Sequence, residues 1–173
     1  MKKIAVFGTS ASPPTIAHVL LLQYISSTAN FDEILVIPTH THPVKTNLIE
    51  YHHRLAMCKL AFSEIAKVKI DRIEFYLPKP SYTYKTLEKI IEKRPAKYSL
   101  ILGSDNLNQE SGWGENLEKA LKLADPFIID RNLIFNTSST EVRELIKNNE
   151  KDKLSKLCPF LVLEYIDKNN LYK

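Results

Sequence analysis

Short apolar runs alternate with helical patterns along most of the chain, and this alternation constrains the fold more than any other feature. Three of the runs are followed directly by glycine or proline, namely Ile4–Phe7, Ile34–Ile37 and Tyr98–Leu102. Continuous apolar runs of this length are typical of strands that are buried on both faces of a parallel sheet. Val68–Asp71 alternates in polarity and predicts a strand nearer an edge, and Phe127–Ile129 is a fifth candidate.

Four segments between these runs carry apolar residues at the i, i+3, i+4 spacing of a helix. They are Ala17–Ser27, Tyr51–Ile65, Thr83–Glu92 and Glu115–Leu123. Strands that alternate with helices predict right-handed βαβ units and a parallel sheet. We therefore expect an α/β, Rossmann-like fold, with a doubly wound parallel sheet. A helical C-terminal segment should follow it, with helices over Thr140–Lys147 and from Pro159 to about Asn169.

The chain has 173 residues, a length that suits one domain. We expect a single domain over residues 1–173, of which 137–173 form the C-terminal helical part. Hydrophobic residues make up 44% and charged residues 25%, as in ordinary globular proteins. Cys58 and Cys158 form neither a CxxC motif nor a cluster with histidine, which argues against a disulfide scaffold or a thiolate zinc site. A reducing, cytoplasmic setting is the expectation.

Charge and hydropathy limit the possible partners. The apolar runs are far shorter than the roughly 18 residues that span a membrane, so we expect no membrane segment. The run Ile4–Phe7 is also too short for the core of a signal peptide. The 24 basic residues are interspersed with 20 acidic ones, without a stripe of basic and aromatic residues. This pattern argues against nucleic-acid binding and permits an anionic small molecule.

The first strand leads into the loop Gly8–His18, which reads G-T-S-A-S-P-P-T-I-A-H. This loop is neither a P-loop nor the GxGxxG dinucleotide motif. His18 falls in the first turn of the following helix, where backbone N–H groups favour a phosphate. A lone histidine at this position also suits a capping or surface role.

A second polar cluster, Thr137–Arg143, places hydroxyl groups at a helix start and an arginine one turn further on. Its other hydroxyl residues are Ser138, Ser139 and Thr140. A helix N-terminus with hydroxyls and an arginine is typical of a phosphate site. Ser138 and Glu141 also match the S-x-x-E capping box. The two interpretations are compatible.

Together, the two clusters resemble motifs of the nucleotidyltransferase superfamily that carries an HxGH or TxxH loop. Within it, the chain is most similar to bacterial nicotinate-nucleotide adenylyltransferases. Their first loop follows G-G-[ST]-F-[DN]-P-[PI]-[HT]-x-x-H, and their late motif is I-S-S-T-x-[IV]-R. Further similar segments follow in order along the chain: Ile37-Pro38 with His42–Lys45, His53–Met57, Pro80–Leu87, and Leu102–Asp105 with Trp113.

The resemblance implies transfer of AMP from ATP to a nicotinate or nicotinamide mononucleotide, with release of pyrophosphate, in NAD biosynthesis. Such a reaction needs no covalent nucleophile and depends on positioning and charge stabilisation. The implied partners are ATP and a pyridine mononucleotide, and a homo-oligomer is possible. Mg²⁺ would be carried on the phosphates of ATP, with no dedicated metal site in the chain.

The resemblance also implies residue roles. Four residues would be catalytic: His18, Thr15, Arg143 and Lys45. ATP would contact His18 and Arg143 together with Gly8, Thr9, Ser10, Gly103, Asp105, Ser138, Ser139 and Thr140. The second nucleotide would contact Lys45, Thr83 and Trp113. Lys45 also fits a solvated loop position, and Asp105 fits a cap of the next turn. Trp113 lies in a polar, glycine-flanked turn, for which core packing is an awkward explanation.

The chain departs from the family pattern at several places. Thr15 stands where many relatives have a histidine, Ala11-Ser12 replaces Phe-Asp, and the stretch between Trp113 and Ser138 is short. The alternatives are therefore a pantetheine-phosphate adenylyltransferase, another nucleotidyltransferase of the superfamily, or a diverged nucleotide-binding domain without turnover. Release of pyrophosphate distinguishes the enzymes from the last of these.

Overall fold

The computed structural model describes residues 1–104, 113–130 and 137–173, and contains one five-stranded sheet. Its strands are β1 (Lys3–Thr9), β2 (Glu33–Pro38), β3 (Val68–Ile70), β4 (Lys97–Gly103) and β5 (Asp125–Ile129). Their order is β3-β2-β1-β4-β5, and every neighbouring pair is parallel. The predicted parallel sheet is confirmed, and β3 lies at an edge as its alternating sequence indicates.

The helices follow the expected pattern, with two additions. They are α1 (Ile16–Thr28), α2 (Tyr51–Phe62), α3 (Thr83–Lys93), α4 (Glu115–Leu121), α5 (Ser139–Lys147), α6 (Lys151–Leu157) and α7 (Phe160–Lys168). The sequence patterns predicted neither α6 nor the short 3-10 turn at Ile73–Tyr76. None of the helices in these described ranges has the length and apolarity to cross a bilayer.

Successive residues of each central strand pack on opposite faces of the sheet, which explains their continuous apolar runs. In β1, Ile4 and Val6 join the core under α3 and α4, whereas Ala5 joins the core under α1 and α2. Helices therefore cover both faces, as the expected doubly wound arrangement requires.

The C-terminal helices form a third core together with α2. Met57 of α2 packs with Val142 of α5, Leu154 of α6 and Val162 of α7. This packing holds the start of α5 beside the sheet. The expected division into a domain over 1–173 with a helical part from residue 137 stays a prediction.

Glu33 lies at the start of β2 and stabilises the edge of the sheet where the strands begin, opposite their carboxyl ends. Its carboxylate is almost fully buried and accepts hydrogen bonds from Arg94 at 2.9 and 3.0 Å and from Lys69 at 3.2 Å. Burial alone would raise the pKa of Glu33. The hydrogen bonds and charges of Arg94 and Lys69 outweigh it and hold the pKa below its ordinary value.

We predict that Glu33→Ala lowers the free energy of unfolding at pH 7 by about 1–3 kcal/mol, because two charged donors lose their acceptor. A carboxyl with a depressed folded pKa stabilises the protein above its unfolded pKa, and this contribution is lost as pH falls through the folded value. The difference from wild type should therefore shrink between pH 5 and pH 3 in urea titrations. Glu92→Ala is the control, because the pair that Glu92 forms with Lys89 is exposed. A pH-independent difference for Glu33→Ala would contradict this account.

Candidate active site

A cleft of 810 Å³ lies at the carboxyl ends of β1, β2 and β4. From β1 the chain adds strands on one side through β2 and β3, and then returns to add β4 on the other side. Open α/β sheets bind ligands at such a switch in strand order. The cleft volume also falls within the range of small-molecule sites.

The structure brings nearly all of the predicted site residues into this one cleft. Twelve of the predicted residues line it: Gly8, Thr9, Ser10, His18, Lys45, Thr83, Gly103, Trp113, Ser138, Ser139, Thr140 and Arg143. Asp105 lies outside the described residues. Thr15 is fully buried and does not line the cleft. Segments that are far apart in sequence therefore meet at one place.

Thr15 holds His18, contrary to our expectation that it contacts phosphate. The two residues form a capping box at the start of α1. The Thr15 backbone N–H donates to His18 Nδ1 at 3.1 Å, and the Thr15 hydroxyl lies 2.8 Å from the same nitrogen. Since Nδ1 accepts, the neutral ring carries its proton on Nε2. Thr15 thus fixes the tautomer of a histidine that lines the cleft.

The loop between β1 and α1 turns sharply at Ala11. Ala11 is buried, has a φ of +46°, and its N–H donates to Thr9 Oγ1 at 3.2 Å. A left-handed conformation costs roughly 1–2 kcal/mol for an L-residue other than glycine. Strain of this kind persists where the surrounding structure over-determines the backbone, and it clusters at functional sites.

The start of α5 is fastened to this same loop. Arg143 Nη1 donates to the carbonyl oxygen of Ser12 at 2.6 Å, and Ser139 Oγ donates to that of Pro13 at 2.7 Å. Arg143 Nη2 also donates to Thr140 Oγ1 at 3.0 Å. These bonds bring the two polar clusters of the sequence together.

Ser138 caps α5, as the capping interpretation predicts. Its hydroxyl accepts the Glu141 N–H at 3.1 Å. Capping and ligand binding are compatible here, because Ser138 also lines the cleft.

Lys45 reaches across the cleft from the loop after β2. Its Nζ donates to Ser10 Oγ at 3.2 Å, so it is more than a solvated loop lysine. His42 shapes the turn that carries it, because His42 Nδ1 accepts the N–H groups of Val44 at 3.1 Å and Lys45 at 3.0 Å. Burial, with the charges of Lys45 and Arg54, lowers the pKa of His42. Sequence reasoning did not identify His42 as a site residue.

Trp113 is half-buried. It packs against the core under α3 and α4 and also lines the cleft. Our expectation that core packing does not account for this residue was therefore wrong in part. Its contact with the core fixes the position of the indole at the cleft wall.

Arg54 is a second residue that sequence reasoning missed. Its side chain is 1% exposed, and it donates to the carbonyl oxygens of Ile49 at 2.9 Å, Ser10 at 3.1 Å and His40 at 2.8 Å, and to that of Thr39. One guanidinium thus connects the loops after β1 and β2 with the start of α2. The available signal was a charged residue at helical spacing (i+3, i+4) from Met57 and Cys58, which are buried in the same helix.

Glu74 lines the cleft wall and is also buried. Its carboxylate accepts the His40 N–H at 2.8 Å and the Thr86 hydroxyl at 3.0 Å. Burial raises the pKa of Glu74, while the hydrogen bonds from His40, Ser81 and Thr86 act in the opposite direction. Glu74 also went unrecognised in the sequence.

Three helix N-termini converge on the cleft. Its lining includes His18 from the first turn of α1, Thr83 from α3 and Thr140 from α5. Helix N-termini favour anions because of their unpaired N–H groups and their dipole. Lys45 and Arg143 add positive charge, and Glu74 is the only carboxylate among the described lining residues. Within the described ranges, no group of three or more His, Cys, Asp or Glu side chains is arranged to hold a metal.

This geometry agrees with comparisons to known proteins. The cytidylyltransferase-like family matches residues 6–145. The probable nicotinate-nucleotide adenylyltransferase of Flavobacterium johnsoniae is 34% identical over 99% of both chains, and the Bacillus subtilis nicotinate-nucleotide adenylyltransferase is 29% identical over the full length of both. The Plasmodium falciparum nicotinic acid mononucleotide adenylyltransferase, solved with NaAD, superposes with a TM-score of 0.80. It is 25% identical, over 99% of this chain and 98% of that one.

The chain belongs to the cytidylyltransferase-like family of nucleotidyltransferases. Within it, the full-length similarity to the Flavobacterium johnsoniae protein places the chain among the nicotinate-nucleotide adenylyltransferases.

We predict that Thr15→Val lowers the free energy of unfolding by about 1 kcal/mol, because α1 loses its cap. Turnover should fall several-fold with little change in KM, because His18 is less firmly oriented. Thr15→Ser retains the hydroxyl and is the matched control. Thermal unfolding and steady-state kinetics test this. A loss that appears only in KM for ATP would instead support direct contact between Thr15 and the nucleotide.

Proposed function

We propose that the cleft binds ATP and nicotinate mononucleotide side by side and transfers AMP between them, releasing pyrophosphate. The observation that carries this proposal is the convergence of three helix N-termini, with Lys45 and Arg143, on one cleft at the switch in strand order. Both substrates are anionic, and their phosphates must meet at one place for the transfer to occur.

The triphosphate lies across the loop after β1 and the start of α5. Gly8, Thr9 and Ser10 supply one wall, and Arg143 with the hydroxyls of α5 supplies the other. A guanidinium with several N–H donors suits two phosphate oxygens at once. Arg143 also donates to the carbonyl oxygen of Ser12, in the loop between β1 and α1. The same guanidinium therefore binds phosphate and holds this loop in position.

The phosphate of the mononucleotide attacks the α-phosphorus of ATP. A new P–O bond forms as the bond from the α-phosphorus to the oxygen bridging to the β-phosphate breaks, and that oxygen leaves with its electron pair as pyrophosphate. His18 Nε2–H donates to an oxygen of the transferred phosphoryl group as charge builds on it. Lys45 attracts the attacking phosphate into line. Positioning and charge thus supply the catalysis.

The pyridine ring lies between Trp113 and the start of α3. Trp113 offers an aromatic face, which attracts a cationic ring as well as burying it. A carboxylate on the ring suits the N-terminus of α3 at Thr83. Two lysines near this helix start add positive charge: Lys85 Nζ is 5.9 Å from the Tyr82 ring centre, and Lys119 Nζ is 5.6 Å from that of Tyr84. Both lysines are exposed and lie outside the cleft lining, so their contribution is screened, and the preference for nicotinate over nicotinamide rests mainly on the N-terminus of α3.

Mg²⁺ enters with ATP as part of the substrate. The described cleft lining offers hydroxyls and cations, and Glu74, its one described carboxylate, already accepts hydrogen bonds from the protein. The ion would therefore be held by phosphate oxygens and water, as is usual for Mg²⁺. There it would neutralise charge on the leaving pyrophosphate.

The decisive experiment measures pyrophosphate release from ATP with nicotinate mononucleotide, nicotinamide mononucleotide and phosphopantetheine in parallel. We expect kcat/KM for the nicotinate substrate to exceed that for the amide by roughly tenfold or more, since one charged hydrogen bond is worth about 1.5–3 kcal/mol. Phosphopantetheine should give no turnover. A preference for the amide would refute the assigned specificity, and no release with any acceptor would refute the proposed function.

A further inference from the structure

The backbone of Thr39 and His40, directly after β2, is held between a buried cation and a buried anion. Arg54 donates to the carbonyl oxygens of Thr39 and His40, whereas Glu74 Oε2 accepts the His40 N–H at 2.8 Å. Arg54 is 1% exposed and Glu74 is 4% exposed. Each charge is therefore compensated mainly by this backbone and by other fixed dipoles rather than by water.

The same carboxylate connects this loop to α3. Glu74 Oε1 accepts the Thr86 hydroxyl at 3.0 Å. Next to it, the Ser81 N–H donates to the carbonyl oxygen of Thr41 at 2.9 Å. Glu74 therefore connects the loop after β2, which carries Lys45, to the first turn of α3, which carries Thr83.

We propose that Glu74 is a positioning residue for the mononucleotide half of the cleft, with Arg54 holding the opposite side of the same loop. By joining the loop after β2 to the start of α3, Glu74 sets the separation of Lys45 and Thr83. This inference rests on the proposed function, in which those two residues contact the mononucleotide. Glu74 itself takes no part in the chemistry, since its oxygens are occupied by His40 and Thr86.

The chemistry of the side chain predicts which substitution is tolerated. In Glu74→Gln, the amide oxygen can accept the His40 N–H while the amide NH₂ donates to Thr86 Oγ1. The Thr86 hydroxyl can then donate to the Tyr82 carbonyl oxygen, which lies 3.3 Å away. Glu74→Ala removes both connections and leaves the His40 N–H and the Thr86 hydroxyl without their acceptor.

The chain offers a matched control in Glu33. It too is a buried carboxylate with several hydrogen bonds, but it lies at the opposite edge of the sheet and does not line the cleft. Glu33→Ala therefore reports the effect of lost stability alone.

The first experiment measures KM for each substrate in these variants. Glu74→Ala should raise KM for nicotinate mononucleotide by roughly tenfold or more, because small displacements at a site have large effects, while KM for ATP stays within about twofold. Glu74→Gln should stay within about threefold of wild type, and Glu33→Ala should change neither KM. Equal changes in both KM values, or the same pattern in Glu33→Ala, would overturn the proposal.

Thr86→Val keeps the inference testable if Glu74→Ala does not fold. It removes one hydroxyl from the connection at nearly constant volume and should raise KM for the mononucleotide by about threefold, with KM for ATP unchanged. An unchanged KM for the mononucleotide in this variant would overturn the proposal.

A second measurement separates this inference from the proposed function. Hydrogen exchange of the unliganded protein should become faster in segments 39–48 and 79–87 of Glu74→Ala and not of Glu33→Ala. Absence of adenylyl transfer by the wild-type protein would refute the proposed function, whereas unchanged exchange in both segments would refute the positioning role of Glu74.

Discussion

A fully parallel sheet covered by helices on both faces directs every strand-to-helix connection to the same edge. Each helix that follows a strand therefore begins at the carboxyl ends of the strands, and its N–H groups point toward that edge. In this chain α1 and α3 begin there, and the packing of α5–α7 on α2 brings the start of α5 to the same place. The convergence of helix N-termini on the cleft is thus a consequence of topology before any particular side chain is considered.

Hydrogen bonds between loops then turn this edge into a defined site. Arg143 and Ser139 fasten α5 to the loop after β1, Arg54 fastens that loop to the one after β2, and Glu74 fastens the latter to α3. Two of these connecting charges, Arg54 and Glu74, are buried, and buried charges tolerate few alternative arrangements. The loops that carry the polar groups are therefore held by the protein before substrate arrives, which is what catalysis by positioning requires.

Local sequence patterns predicted the strands and most helices well. The buried strands are recognisable because burial on both faces selects uninterrupted apolar runs, as in Ile34–Ile37. The charged ends of strands were missed. Glu33 belongs to β2 through its backbone pairing with Ile4 of β1, and its buried carboxylate is compensated by Arg94 and Lys69 from other segments. Helix α6 was missed because Lys151–Leu157 carries only two leucines among charged and polar residues, and its stability comes from Leu154 in the third core.

Some residues of the candidate site could be predicted from local sequence patterns, and others could not. Residues at helix starts, such as His18 and Ser138, were predicted because the chemistry and the local structure share one short motif. Glu74 and Arg54 were not, because their partners lie on other loops and no local pattern encodes those contacts. The expected role of Thr15 was wrong for the same reason. Its hydroxyl suggested a hydrogen-bond donor to phosphate, whereas the residue is buried and orients His18.

His18 is the residue proposed to donate to the transferred phosphoryl group, and the kinetics of His18→Ala test that contact. Removal of a donor that acts on the developing charge should lower kcat by on the order of 10²-fold, with KM for ATP little changed. His18→Asn, which keeps a hydrogen-bonding side chain of smaller reach, should recover only part of that loss. Turnover at the wild-type rate in His18→Ala would contradict the account and would leave His18 as a helix cap.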